Sequence, residues 1–312
     1  VTRRELPAFA FSLSERKLFV PKLTRSFQET LPAGFWRAFL CAVGLWLAAG
    51  HATAQPQPDG DEARQSRGGE ILSELREVGL EGDYFLSFDL RILPRRGRAR
   101  VYHGQLWGSR NAEGPVSRVV LYGSEGGEPL RTLLVQNGPR PRAWVWEPSM
   151  ATAQLLPESD WQAPLLAGAE ISAFDLLMPY LYWEDFDFEG ADKVLGRAAD
   201  RFLLRTPKGE GAASEPLAVR AYFDEQFHAL LQSKLLDAAG APLKTMTVRD
   251  LKKISGQWML KSIELRNERT RDKTRFEVRE AALGLDLSPQ VFEPASLREV
   301  IRAPETLKPL GP

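Results

Sequence analysis

Residues 241–266 read APLKTMTVRDLKKISGQWMLKSIELR. Two runs with apolar and polar residues interleaved flank a short polar turn at Ser255–Gln257, and Ile263 and Leu265 alternate with Glu264 and Arg266. A few residues on, TRFEVREA (274–281) alternates strictly. Thr274, Phe276 and Val278 face one way, and Arg275, Glu277 and Arg279 the other. A period of two is the signature of strands in a sheet with one wet and one apolar face. Trp258, just after the turn, is expected to clamp the hairpin onto the apolar face.

The same rhythm extends outward in both directions. DYFLSFDLRIL (83–93), RARVYHGQLWG (98–108), VSRVVLYG (116–123), PLRTLLVQNG (129–138) and RAWVWEP (142–148) are strand-like runs bounded by Gly, Pro or Asn, and ADRFLLRTP (199–207), LAVRAYFD (217–224) and HALLQSKLLD (228–237) follow later. Strands broken at this rhythm by turn residues predict an antiparallel meander. Two segments break the pattern. GGEILSELREVGL (68–80) spaces Ile71, Leu72, Leu75 and Val78 for one short amphipathic helix. ISAFDLLMPYLYWEDF (171–186) predicts a second, capped at Ser172 with Asp175 three residues on, and kinked or ended by Pro179. That second segment is apolar on nearly every side, so it needs cover on more than one face, as a lid or plug would.

The N-terminal part reads differently. An apolar run from Ala38 to Ala49 follows Arg37, and ATA follows at 52–54, the layout of a secretory signal cleaved after Ala54. The run is too short to cross a bilayer, which takes about 20 residues. Val1–Gly34 is a long lead, either an overextended gene start or a real long n-region, and 1–54 is set outside the fold. The only cysteine, Cys41, lies inside the apolar run, so the remainder offers no disulfide and no thiolate. Residues 55–67, rich in Pro, Gln, Asp and Arg, read as a flexible linker, and 68–312 as a single domain.

Composition excludes several classes of function. Lysine plus arginine balance aspartate plus glutamate at 41 each, so no basic surface points to nucleic acid. The basic stretch RILPRRGRAR (91–100) reads as a solvated hairpin tip. No HExxH, GxSxG, P-loop or GxGxxG motif is present. Beyond the signal, only His103 and His228 remain, each in a strand-like run with no partner positioned by the sequence. The acidic stretch WEDFDFEG (183–190) lacks the ligand spacing of a calcium loop and reads as a solvated edge. A non-enzyme with no cofactor and no metal is the expectation.

The motifs resemble those of the periplasmic outer-membrane lipoprotein-sorting family, the LolA-like group. The resemblance rests on Trp146 and Pro148, Asp175 and Leu176, then Lys244, Gly256, Trp258, Asn267, Thr274 and Phe292, and covers roughly 70–305. It implies a mainly β (α+β) fold: a strongly curved antiparallel sheet forming an incomplete barrel, with helices covering its mouth. It also implies a periplasmic monomer that takes lipid or lipoprotein acyl chains from an inner-membrane transporter to an outer-membrane acceptor. In that reading Phe174, Leu177, Met178, Leu181, Trp144, Trp146, Met246, Met259, Ile263 and Phe276 line an apolar chamber and its lid. Large apolar side chains suit a plain core equally well. The alternative is therefore an adaptor of an envelope export complex, with the same barrel filled by its own side chains.

Overall fold

A computed structural model describes residues 60–77, 79–207, 218–227 and 229–311. The signal segment, its cleavage site, Cys41, Val78 and His228 lie outside the described residues. Chain order begins with helix α1 (Gly60–Glu77) and six strands: β1 (Asp83–Leu93), β2 (Arg100–Asn111), β3 (Gly114–Gly123), β4 (Gly126–Gln136), β5 (Arg142–Trp146) and the short β6 (Gln154–Leu155). Helix α2 (Ala173–Leu177) follows, then β7 (Phe186–Val194), β8 (Arg197–Arg205), β9 (Ala218–Asp224), β10 (Leu230–Leu236), β11 (Pro242–Ile254), β12 (Gln257–Asn267), β13 (Lys273–Leu285) and β14 (Lys308–Pro309).

The described strands form one antiparallel sheet, in the order β6-β5-β4-β3-β2-β1-β13-β12-β11-β10-β9-β8-β7, with β14 added beside β13. Two meanders, β1–β6 and β7–β13, are thus zipped together along β1 and β13, where Leu90 faces Phe276 and Phe88 faces Val278. The sheet is not closed: β6 and β7 stand at opposite ends of the order.

Alternation decides the two faces. Leu86, Phe88, Leu90 and Ile92 of β1 and Phe276 and Val278 of β13 join the main core. On the other face of β13, Arg275, Glu277 and Arg279 reach solvent, as the period of two requires. That wet face carries cross-strand ion pairs. Asp89 accepts from Arg279 Nη2 at 2.6 Å and lies 2.9 Å from His103 Nδ1. Glu264 pairs with Lys273 and Arg275, both at 3.0 Å. His103 therefore has a partner after all, but on an outer strand face rather than in a cleft. The acidic stretch is paired likewise: Asp185 and Asp187 with Arg205, and Glu189 with Arg201 and Arg220.

Helix α1 begins at Gly60, not after Arg67, so 60–67 is helical rather than a flexible linker. Its polar first half gives no apolar period to read; tertiary contact supplies the reason for its order. Gln65 donates to the Phe186 carbonyl (3.2 Å) and accepts from Phe188 N–H (3.2 Å), pairing with the backbone of edge strand β7. Gly68 lets the helix come close, because a Cβ there would sit 2.8 Å from that of Phe188. An edge strand left bare is an invitation to aggregate, and α1 covers this one.

The wet-face carboxylates set an acid limit. Burial by itself would raise Asp89, Glu264 and Glu268, but hydrogen bonds outweigh it and hold all three below their usual range: Arg279 and His103 on Asp89, Arg275 and Lys273 on Glu264, Thr245 and Arg266 on Glu268. A depressed folded-state value means the stabilisation is full above the unfolded values near about 4 and fades as pH falls through the folded ones. Melting temperature should therefore drop steeply below about pH 4. Asp89→Asn should show a shallower acid slope than wild type in the same pH series.

Candidate functional site

The segment between β6 and β7 is held on the inner face of the sheet by a polar cluster. Asp175 Oδ2 accepts three hydrogen bonds: from Ser172 N–H (2.8 Å), Ser172 Oγ (2.7 Å) and Lys244 Nζ (2.6 Å). The Lys244 and Asp175 side chains are only 13% and 8% exposed. Next to them Asn267 Nδ2 donates to Glu170 Oε2 at 3.2 Å, and Glu170 N–H donates to Thr274 Oγ1 at 2.8 Å. Burial pushes the Glu170 carboxyl up despite the hydrogen bond from Asn267. Asp175, Lys244, Asn267 and Thr274, separated by up to about a hundred positions of chain, are the polar residues of the sequence motif. They meet because Lys244 and Asn267 are register partners on β11 and β12, with β13 alongside.

The same segment is tied at its other side. Asn137 Nδ2 donates to the carbonyls of Leu176 (3.1 Å) and Leu177 (2.7 Å), and Arg76 Nε donates to that of Leu181 (2.8 Å). Helix α2 stops at Leu177. Met178 takes a left-handed conformation (φ 43°), and Pro179 opens a separate 3-10 turn to Tyr182. The helix expected over 172–183 is thus two short pieces joined at Met178. A five-residue helix has no stability of its own, so these side-chain ties and its burial keep it in place.

Between this segment and the sheet lies an apolar cavity of about 910 Å³. Ile171, Leu176 and Met178 form one wall, and Met246, Met259, Ile263 and Phe276 form the sheet side. The mouth is rimmed by three hairpin tips carrying large apolar residues in the open: Leu195 (67% exposed), Phe227 (50%) and Trp258 (57%). Along the mouth the β11–β12 hairpin has no ladder partner on either side, but side chains tie it elsewhere: Lys252 Nζ donates to the Leu310 carbonyl, Lys308 Nζ to Ser255 Oγ (2.7 Å) and Glu81 N–H to Gln257 Oε1 (2.8 Å). Strand β10 pairs with β11 only as far as Thr247, and β13 pairs with β12 only from Ser262 onward. The distal half, 248–261, is a two-stranded arm whose residues line the cavity.

The structure places the ten expected chamber residues in three groups. Met178, Met246, Met259, Ile263 and Phe276 line the cavity. Phe174 and Leu177 lie in the packed core, Leu177 with no exposure at all, and Leu181 packs half-buried against that core. Trp144 and Trp146 lie on the opposite face of β5 from the core residue Ala143, under Phe292 and Leu297 of the C-terminal segment. A period of two groups the two tryptophans but does not say which face is inner. Trp258 is a correction too: its ring stands at the rim rather than clamping the hairpin. The turn is tighter than expected, with Ser255 (φ 50°) and Gly256 (φ 87°) alone in it, and Trp258 pairs with Lys253 and stays exposed, while Ile254 and Met259 on either side of it along the hairpin supply the core contact. Leu195, Phe227 and Arg249 were not foreseen in the cavity. For Leu195 and Phe227 the available signal was a large apolar residue at a turn, where polar residues are the rule.

Among the described residues no group of three or more His, Cys, Asp or Glu is placed to hold a metal ion. No described helix is long and apolar enough to cross a membrane.

A protein-family model described as "-like: Uncharacterized protein" matches residues 128–299, more than half of the chain. The chain belongs to that family. Its fold is LolA-like. A DUF1329 family protein from Desulfovibrio piger superposes with a TM-score of 0.64 at 16% identity, over 74% of this chain and 98% of that one. A structure described as an outer membrane lipoprotein-sorting protein domain, from Vibrio parahaemolyticus, gives 0.63 at 16% identity, over 74% and 97%. A LolA superfamily protein from Nitrosomonas europaea gives 0.55 at 14% identity, over 72% and 96%. No curated protein matches the sequence significantly. At these identities the likeness shows the fold alone.

Two variants test the geometry. Lys244→Met leaves the Asp175 carboxylate buried and unpaired and should cost about 3–5 kcal/mol in denaturant unfolding. Adding Asp175→Asn should recover part of that loss, since the stranded charge is then gone. Trp258→Ala should leave the melting temperature within a degree or two of wild type, because the ring is more than half exposed. A loss of several degrees would place the ring in the core.

Proposed function

We propose that this protein is a non-enzymatic carrier that shelters acyl chains of a lipid or lipoprotein in the cavity between its sheet and the pinned segment 171–178. The apolar cavity with an open, apolar rim carries this reading. Its volume is at the upper end of the roughly 300–1,000 Å³ of small-ligand clefts. Each buried methylene contributes about 0.8 kcal/mol. Ten of them give about 8 kcal/mol, the scale of micromolar binding before ordering costs.

A strongly curved sheet with the helical segment across its mouth fits the contacts. Helix α2 touches β4 and β5, and the turn that follows it touches β8. Strands β4 and β8 are nine places apart in the sheet order, about 43 Å on a flat sheet at about 4.8 Å per strand. The Phe174–Tyr182 stretch is far too short to span that, which supports a sheet bent around it. In this reading the segment is a fixed wall, and cargo enters past the exposed rim residues Leu195, Phe227 and Trp258. The lipoprotein-sorting description of the Vibrio neighbour accords with such a role. We place the protein in the periplasm as a monomer, exported through the 1–54 signal with cleavage after Ala54. It would receive cargo from an inner-membrane transporter and deliver it to an outer-membrane acceptor.

Native mass spectrometry of protein purified from the cell envelope tests this. A population carrying co-purified lipid mass is the expected result, with a neutral fluorescent acyl probe binding the delipidated protein in the micromolar range. Trp258→Ala should weaken that probe several-fold. A bare protein that takes up no acyl probe would favour the adaptor with a filled interior.

A further inference from the structure

Four charged residues line the cavity: Asp175, Arg197, Arg249 and Asp250. Three have partners. Asp175 holds Lys244 at 2.6 Å, Arg197 Nη2 holds Asp224 at 2.7 Å, and Asp250 faces Lys261 at 3.7 Å. Arg249, which is exposed, has no ion-pair or hydrogen-bond partner among the described residues, so its guanidinium is free to take one from solution.

The backbone puts it there. Met246 and Val248 of β11 both line the cavity, so regular alternation would turn Arg249 to the other face. The pairing is irregular here: it runs from Val248↔Ile263 to Asp250↔Ser262 and back to Leu251↔Leu260, so Arg249 on β11 and Lys261 on β12 are each left unmatched in the ladder. Such an irregularity loosens strict alternation locally, and Arg249 and Asp250 both border the cavity. The irregularity lies just past Thr247, where the β10–β11 ladder stops, and Arg249 is exposed there. Around it the mouth is apolar, with Phe227 and Trp258 at the rim. A guanidinium offers five donors in a planar fork that matches a phosphate or carboxylate with two parallel hydrogen bonds.

We infer that Arg249 binds the anionic head group, phosphate or carboxylate, of an amphiphile whose chains occupy the cavity, so that the cargo class is an anionic lipid. This rests on the carrier reading and adds to it the polarity of the bound molecule: tails inward, charged head at Arg249 in the mouth.

Displacement of a neutral fluorescent acyl probe from the full chain tests it, with three competitors of matched oleoyl chains: dioleoyl phosphatidylglycerol, oleate and dioleoylglycerol. Wild type should bind at least one anionic competitor about tenfold more tightly than the neutral one, the effect of one charge-assisted contact. Arg249→Gln should abolish that preference, leave dioleoylglycerol binding and the melting temperature unchanged, and flatten the salt dependence. Arg249→Lys should keep part of it. The anionic competitor that loses more in Arg249→Gln identifies phosphate or carboxylate as the head. Equal binding of charged and neutral competitors by wild type, or a preference that survives Arg249→Gln, would overturn the inference with the carrier reading intact. If neither probe nor any competitor binds wild type, the carrier reading itself falls, and this inference with it.

Discussion

The ion pair between Lys244 and Asp175 is the contact on which the inner face of this protein depends. One carboxylate oxygen collects the Lys244 ammonium, the Ser172 hydroxyl and the Ser172 N–H. A buried pair of this kind adds little net stability compared with well-packed apolar residues, because desolvation offsets the attraction. Its value lies in position. It fixes where a segment that cannot hold itself as a helix meets the sheet, and so it fixes the distance between the two walls of the cavity. Asn137, on the other meander, holds the same segment from its far side. A wall tied at both ends cannot collapse inward to fill the space beneath it.

The outer face is organised by a second buried cation. Arg118, on β3, is almost completely buried. It donates to Ser296 Oγ at 3.1 Å and to the carbonyls of Leu297 (3.3 Å), Val291 (3.5 Å) and Glu299. Those carbonyls belong to a segment of short 3-10 turns that has no sheet to pair with, and a charged donor satisfies several of them at once. The segment covers Phe85, Trp107 and Val120 on that face. One end of the β1–β3 outer face is therefore covered by this segment, whereas its other end, with Asp89 and His103, and β12–β13 keep a wet face of ion pairs. The mouth forms where the ladders of β10 and β13 part from the β11–β12 arm.

Much of this was legible in the sequence. The alternation in 274–279 gave the wet and dry faces of β13, and the turn residues gave the meander. Ser172, Asp175 and Pro179 marked where α2 starts and stops. Four residues that line the cavity were legible too, because Met246, Met259, Ile263 and Phe276 lie on strands whose dry face is unambiguous. What failed depended on the third dimension. The period of β5 groups Trp144 with Trp146, but both faces of that strand are covered, so composition cannot tell inner from outer. Leu177 shares a helix face with other apolar residues, yet a five-residue helix tied at both ends turns that face wholly into the core. The helix from Gly60 stayed hidden because its order comes from Gln65 on the backbone of β7, a contact more than a hundred positions away.

The irregularity at Arg249 belongs to the same class of hidden feature and connects the others. Nothing in TMTVRDLKK announces it, and strict alternation puts Arg249 with the solvent-facing charges. A strand paired on both sides resists such a break, since two ladders would have to give way. The β10–β11 ladder stops at Thr247, although β10 itself runs on to Leu230 and borders the cavity with Leu230 and Leu231. Where that ladder parts, the pairing of β11 with β12 slips and recovers within three residues. The parting that opens the mouth is thus also what lets Arg249 and Asp250 border it beside apolar residues. Opening and polarity share that one origin, and a β10–β11 ladder continued past Thr247 would remove both together.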